Sequence, residues 1–137
     1  KTFVVAGGKD LAAFGSAEAD AAKDTSNIFY PGYVTDGQNK ALMQNCKGFL
    51  HPAVFEGFGI PPLEALSLGA PIALARASCL PELYGDTARY FDPYDYDVDL
   101  DALFAKPVTP PDKVLAKYSW EKTARFWLDE IKKCAEA

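Results

Sequence analysis

Two carboxylates, Glu56 and Glu64, bracket the stretch Glu56-Gly57-Phe58-Gly59-Ile60-Pro61-Pro62-Leu63-Glu64. A carboxylate accepts hydrogen bonds from adjacent hydroxyls of a polyol such as ribose. Glu56 at the start of the stretch and Glu64 one turn into an expected helix therefore suit two hydroxyl-rich groups. Between them, Gly57 and Gly59 carry no Cβ and tolerate positive φ, which lets the backbone approach a ligand closely. Pro61 and Pro62 fit a first helical turn, where N–H groups have no intrahelical partner. The N–H groups of Gly59, Ile60 and Leu63, at the positive end of the helix dipole, favour an anion. Each proline removes a donor, so the loop is a weaker phosphate cradle than a P-loop. Hydroxyl-rich ends around an anionic middle describe a nucleoside-diphosphate sugar.

Placing such a loop takes a strand before it and a helix after it. Gly48 to His51 reads as the strand and Leu63 to Leu68 as helix, and strand-to-helix crossovers are where open α/β sheets bind ligands. The rest of the chain repeats that alternation. Phe3 to Ala6 reads as a buried strand ended by Gly7-Gly8, and Asp10 to Ala22 is Ala-rich enough for a helix. Asn27 to Tyr30 is a short strand closed by a Pro31-Gly32 turn. Asp36 caps a helix running to about Cys46. Pro71 to Ala75 is another strand, Ala88 to Phe91 a short apolar piece, and Asp92 to Asp101 an acidic loop. Ser119 caps a last helix whose Trp120, Ala124, Trp127, Leu128 and Ile131 share one face. The strands lack polar alternation, which predicts a parallel, Rossmann-like α/β sheet covered by helices on both faces.

Bulk properties narrow the classes. At 137 residues the chain is one domain by size, able to bury roughly two thirds of its unfolded surface. With 19 acidic and 14 basic residues its net charge is −5, which argues against nucleic acid as a partner. No apolar run approaches the roughly 20 residues of a membrane span. Cys46, Cys79 and Cys134 form no CxxC pair, so they read as reduced, partly buried thiols of a cytoplasmic protein rather than a disulfide or zinc framework.

Other motifs carry less. The third glycine of a dinucleotide fingerprint started at Gly57 and Gly59 would fall at Pro62, which disfavours NAD. Asp95-x-Asp97-x-Asp99 has Leu100 and Lys106 where a calcium loop needs Gly and Glu, so it reads as a solvated, helix-capping segment, and no metal is expected. His51, the one histidine, stands at a strand end, where it either touches a ligand or satisfies a buried backbone group. No Ser or Cys nucleophile accompanies it, which leaves hydrolase chemistry unsupported. Trp120 and Trp127 read as core or interdomain packing residues.

The segment His51-Pro52-Ala53-Val54-Phe55-Glu56-Gly57-Phe58-Gly59-Ile60-Pro61-Pro62-Leu63-Glu64-Ala65-Leu66, followed by Gly69-Ala70-Pro71-Ile72-Ala73, resembles the C-terminal, donor-binding domain of GT-B retaining glycosyltransferases of family four (group 1). Leu80-Pro81-Glu82 and Ser119-Trp120-Glu121 match later landmarks, so the resemblance covers nearly the whole chain. It implies that Glu56 is the catalytic-site carboxylate holding donor-sugar hydroxyls and that Glu64 holds the ribose. Phe58, Gly59 and Ile60 would line the diphosphate and sugar through their main chain. Val34, in Gly32-Tyr33-Val34, would read the nucleobase. Retention of anomeric configuration without a metal or other cofactor is implied, the nucleotide sugar being substrate and a glycan or lipid-linked molecule the acceptor. The region from Leu80-Pro81-Glu82 to Asp92-Pro93 resembles bacterial mannosyl- and related transferases of cell-surface polysaccharide assembly.

At the front the chain departs from that pattern. Lys1-Thr2-Phe3-Val4-Val5-Ala6-Gly7-Gly8 matches the family's second strand, so the first strand and the loop bearing a basic pair are expected upstream, in a longer two-domain enzyme. A diphosphate brings roughly two negative charges to a site that already holds two carboxylates, and no Lys or Arg lies between Lys47 and Arg76. The absent N-terminal GT-B domain is the expected source of cations, of the acceptor site and of any membrane contact. The isolated fragment is expected to be inactive. The alternative is a non-catalytic nucleotide-binding or regulatory α/β module.

Overall fold

A computed structural model of the chain describes residues 1–7 and 26–136. The helix expected over Asp10 to Ala22 lies outside the described residues. The chain divides into two compact units, Lys1–Leu42 and Met43–Ala137.

In the first unit, β1 (Phe3–Ala6) pairs in parallel with β2 (Ile28–Gly32), Phe3 opposite Ile28 and Val4 opposite Phe29. The strand β2 runs through Pro31 and Gly32, which the sequence had suggested as its closing turn. A proline lacks a ladder donor, and it is tolerated because β2 pairs only with β1 among the described residues. The helix α1 (Asp36–Asn45) follows. Its cap is Thr35 rather than Asp36: the Thr35 N–H donates to Gln38 Oε1 (2.8 Å) and the Gln38 N–H to Thr35 Oγ1 (3.4 Å). This reciprocal pair satisfies two donors at once, which Asp36 from inside the first turn does not.

The second unit holds a parallel sheet of β3 (Phe49–His51), β4 (Ile72–Ala75) and β5 (Arg89–Phe91) in that order. Leu50 faces Ala73 across one ladder and Leu74 faces Tyr90 across the other. All four residues of β4 are buried, Ile72 at 1% exposure and Ala73, Leu74 and Ala75 at 0%. A strand covered on both faces has no reason to alternate, which is why its sequence reads as a continuous apolar run. Parallel pairing sets the carboxyl ends of the strands, His51, Ala75 and Phe91, along one edge.

Helices connect the strands. Between β3 and β4 runs α2 (Ile60–Ser67), closed by Gly69 at φ 84° with hydrogen bonds from Gly69 N–H to Leu66 O and from Ala70 N–H to Ala65 O. That is a Schellman ending, and the positive φ accounts for glycine there. Between β4 and β5 lie α3 (Leu80–Tyr84) and a 3₁₀ turn, Gly85–Thr87. The core gathers Met43, Ala65, Leu66, Ala70, Ile72, Leu74, Leu80, Tyr84 and Ala88.

The acidic segment uses its carboxylates on its own backbone. Asp92 accepts from the Tyr94 N–H, Asp95 from Asp97, and Asp99 caps α4 (Leu100–Ala105) by accepting from Asp101 and Ala102. After α5 (Asp112–Lys117) comes α6 (Trp120–Ala135), capped by Ser119 as its sequence suggests. Its apolar face is not core: Trp120 is 83% exposed, Trp127 60% and Ile131 61%. Periodicity shows that a helix has an apolar face, not what covers it. The three cysteines are free, and Cys134 is exposed rather than partly buried.

Candidate functional site

The loop 52–59 leaves the carboxyl end of β3 and enters α2. It meets the segment 76–79 that leaves the neighbouring β4. The Glu56 N–H donates to Ser78 Oγ (3.3 Å), the Ser78 hydroxyl donates back to Glu56 O (2.9 Å), and the Cys79 thiol donates to the same carbonyl (3.3 Å). Ser78 is held at φ 52°, a left-handed conformation that costs an ordinary residue about 1–2 kcal/mol. Its reciprocal bonds with Glu56 offset that cost. Sequence reasoning missed Ser78 and Cys79; the available signal was their position just past the carboxyl end of a strand.

The side chain of Glu56 is held separately. His51 Nε2 lies 2.8 Å from Glu56 Oε1, with the side chains 15% and 26% exposed. An ionised carboxylate only accepts, so the imidazole carries the hydrogen on Nε2. The ring stacks on Phe49, centroids 6.2 Å apart and planes at 13°. His51 therefore does not serve a backbone group, as one reading of the sequence had it. Its partner is the first glutamate of the pair.

At the entry to α2, Gly59 caps the helix at φ 78°, ψ 58°. A Cβ there would lie 2.8 Å from Leu80 Cδ2, whereas one on Gly57 meets nothing within 4 Å. Gly57 also lies outside the left-handed region, so of the two glycines only Gly59 is required by the fold. The backbone N–H groups of Gly57, Phe58, Gly59 and Ile60 give no hydrogen bond to any described residue. The Leu63 N–H, expected to serve an anion as well, is instead taken up in the first turn of α2, beside the Tyr84 phenol. That phenol donates to Gly59 O at 2.5 Å, tying the loop to α3. Burial raises the Tyr84 pKa well above the ordinary tyrosine value, and Tyr118, Cys79 and Glu56 push the same way. Nothing local in the sequence marks this tie.

Phe58 turns its ring edge-on to Tyr118, centroids 4.9 Å apart. The Tyr118 hydroxyl is buried and has no hydrogen-bond partner among the described residues. Glu64 sits one turn into α2, exposed, and its carboxylate has no partner among the described residues. Ile60 is 47% exposed at the start of the same helix. Val34, just past β2, belongs to the first unit and is half-buried.

A separate concavity of about 600 Å³ lies beside β5, lined among others by Arg76, Asp86, Arg89, Tyr90 and Lys106. Neither glutamate lines it. Two of its cations have local roles: Arg76 covers the Tyr90 ring at 5.0 Å, and Arg89 Nε donates to Lys106 O at 3.0 Å.

The site is thus two carboxylates flanking a run of unpartnered backbone donors, outside the carboxyl edge of a parallel sheet. Comparison with known proteins bears on the family and the fold. Serotype-specific mannosyltransferase WbdA of Escherichia coli is 34% identical over 116 residues, covering 76% of this chain and 14% of that protein. O-antigen chain mannosyltransferase B of the same species is 41% identical over 70 residues, 51% of this chain and 18% of that protein. The MMP alpha-(1->4)-mannosyltransferase of Mycolicibacterium hassiacum is 33% identical over 81 residues, 57% of this chain and 20% of that protein. The chain therefore spans only a small part of the relatives it matches. In fold it superposes on the solved structure of TarM with a TM-score of 0.64 and 19% identity, over 93% of this chain and 28% of that one. This match shows the α/β, Rossmann-like fold. The family described as Glycosyl transferases group 1 matches residues 2–102, and the chain belongs to that family.

Proposed function

We propose that this chain is the nucleotide-sugar-binding domain of a retaining hexosyltransferase, which moves a sugar from a nucleoside diphosphate to a glycan or lipid-linked acceptor in cell-surface polysaccharide synthesis. The observation that carries this reading is the run of N–H groups from Gly57 to Ile60 set at the N-terminus of α2 between Glu56 and Glu64, with no partner for those N–H groups or for the Glu64 carboxylate among the described residues. Those donors and the helix dipole suit a diphosphate. Glu56 accepts hydrogen bonds from the donor sugar's hydroxyls, and Glu64 from the ribose. No metal is part of the reading. Mannose is the favoured sugar because the curated relatives are named mannosyltransferases.

The chain covers 14% of WbdA, so the acceptor site and the cations that balance the diphosphate belong to the remainder of the enzyme, a GT-B partner domain in the cytoplasm. The exposed face of α6 is the natural contact for it. Alone, the chain binds donor weakly and transfers nothing, because orientation and charge stabilisation need both halves.

The test is Glu56→Ala and Glu64→Ala in the full-length enzyme. Each should cut sugar transfer at least about tenfold, the expected effect of losing charge-assisted hydrogen bonds to the substrate. Near-wild-type turnover in both, or donor binding with no transfer by the unmutated enzyme, would favour a non-catalytic binding module instead.

A further inference from the structure

We propose that His51 is a positioning residue for the Glu56 carboxylate, a role that rests on the reading of Glu56 as the group that holds the donor sugar. The backbone of Glu56 is already held from the β4 side by Ser78 and Cys79. The loop therefore does not need His51 to stay in place; what the imidazole adds is the direction of the carboxylate. A glutamate side chain has three rotatable bonds, and one fixed donor at 2.8 Å on Oε1 selects among their rotamers. The donor is itself fixed, because His51 ends β3 opposite Leu74 of the central strand and its ring is stacked on Phe49.

With Oε1 engaged, no described residue hydrogen-bonds Oε2. The carboxylate is thereby divided into a protein-facing oxygen and one left for the substrate. His51 touches no reacting atom in this scheme; it acts through Glu56. Its hydrogen bond is charge-assisted and half-shielded from water, so it orients more firmly than an exposed one.

Two variants separate this role from general packing. His51→Phe keeps an aromatic ring to stack on Phe49 but has no donor. His51→Gln lacks the ring but places an amide N–H near the position of Nε2. Both should be made in the full-length enzyme, alongside Glu56→Ala and the double variant His51→Phe/Glu56→Ala. Transfer is measured with a panel of GDP-, UDP- and ADP-linked hexoses, and thermal unfolding is followed in parallel.

For His51→Phe the expectation is a fall of about ten- to a hundredfold in kcat/KM for the donor with little change in Tm. His51→Gln should recover most of the loss, and His51→Phe should add nothing once Glu56 is alanine. A merely structural histidine would show the reverse, with Tm lowered and Gln worse than Phe. If Glu56→Ala abolishes transfer while His51→Phe leaves kcat and KM unchanged, the positioning role is wrong and the site reading survives. If Glu56→Ala has no effect, or the unmutated enzyme turns over no donor in the panel, the site reading fails and this inference with it.

Discussion

Gly57 and Gly59, in the loop before α2, give a sharp test, because the fold needs one and not the other. Gly59→Ala puts a side chain at φ 78°, which costs about 1–2 kcal/mol for an L-residue. Its Cβ would also lie 2.8 Å from Cδ2 of Leu80, which is fully buried and packed in the core. Overpacking of that kind costs about 1–3 kcal/mol, so the variant should lose about 2–5 kcal/mol. Gly57→Ala meets no atom within 4 Å and lies outside the left-handed region. It should be neutral or gain up to about 1 kcal/mol through a stiffer unfolded chain. The two variants should exchange rank when donor affinity and transfer are measured instead. If the diphosphate passes close to the Gly57 backbone, the new methyl group displaces it by about 1 Å, and misplacement of that size costs on the order of a hundredfold in rate. Urea unfolding and donor kinetics on the full-length protein read both effects. Gly57→Ala with wild-type stability and wild-type kinetics would refute the close approach, and equal destabilisation by both substitutions would refute the geometry of the loop.

The tyrosines beside the loop should behave as opposites. Tyr84→Phe removes the buried hydroxyl that donates to Gly59 O, at about 1 kcal/mol for one hydrogen bond, whereas Tyr118→Phe deletes a buried hydroxyl with no described partner and should leave stability unchanged or raised. Chemical denaturation compares them, and a Tyr118→Phe loss larger than that of Tyr84→Phe would overturn the assignment. Alkali supplies a further check. Burial pushes Tyr90 up to about 12, partly opposed by the Arg76 guanidinium over its ring. Tyrosine in the unfolded chain ionises near 10. A folded-state value above the unfolded one keeps stability intact below about pH 10 and loses it between about 10 and 12, as the unfolded chain gives up its proton first. Tyr90→Phe should flatten that fall in the urea midpoint; an unchanged slope would show that the ring does not carry it.

What the sequence made legible follows from the range of the forces involved. The strands β3 and β4, the turn into α2 and the Ser119 cap are local: apolar runs without alternation, prolines in a first turn, a hydroxyl before a helix. The wrong cap on α1 was local too, since Thr35 followed by Gln38 is a capping box visible in the sequence. The pair Glu56 and Glu64 stands out by residue type and spacing, and the function proposed above rests on it. Its supports were not legible. Ser78 and Cys79 stand 22 and 23 positions from Glu56, and Tyr84 stands 25 from Gly59. Only the parallel register of β3 and β4 brings the β4 pair to the loop, and no periodicity encodes which loop residue they will meet. His51 lies five positions before Glu56, yet its partner depends on how the intervening loop curls back. The face of α6 marks the other boundary of what a sequence can say. A stripe of Trp120, Trp127, Leu128 and Ile131 predicts burial, but all four stay more than half exposed here. An exposed apolar stripe of that kind marks an interaction surface, and in the function proposed above its cover is a partner domain.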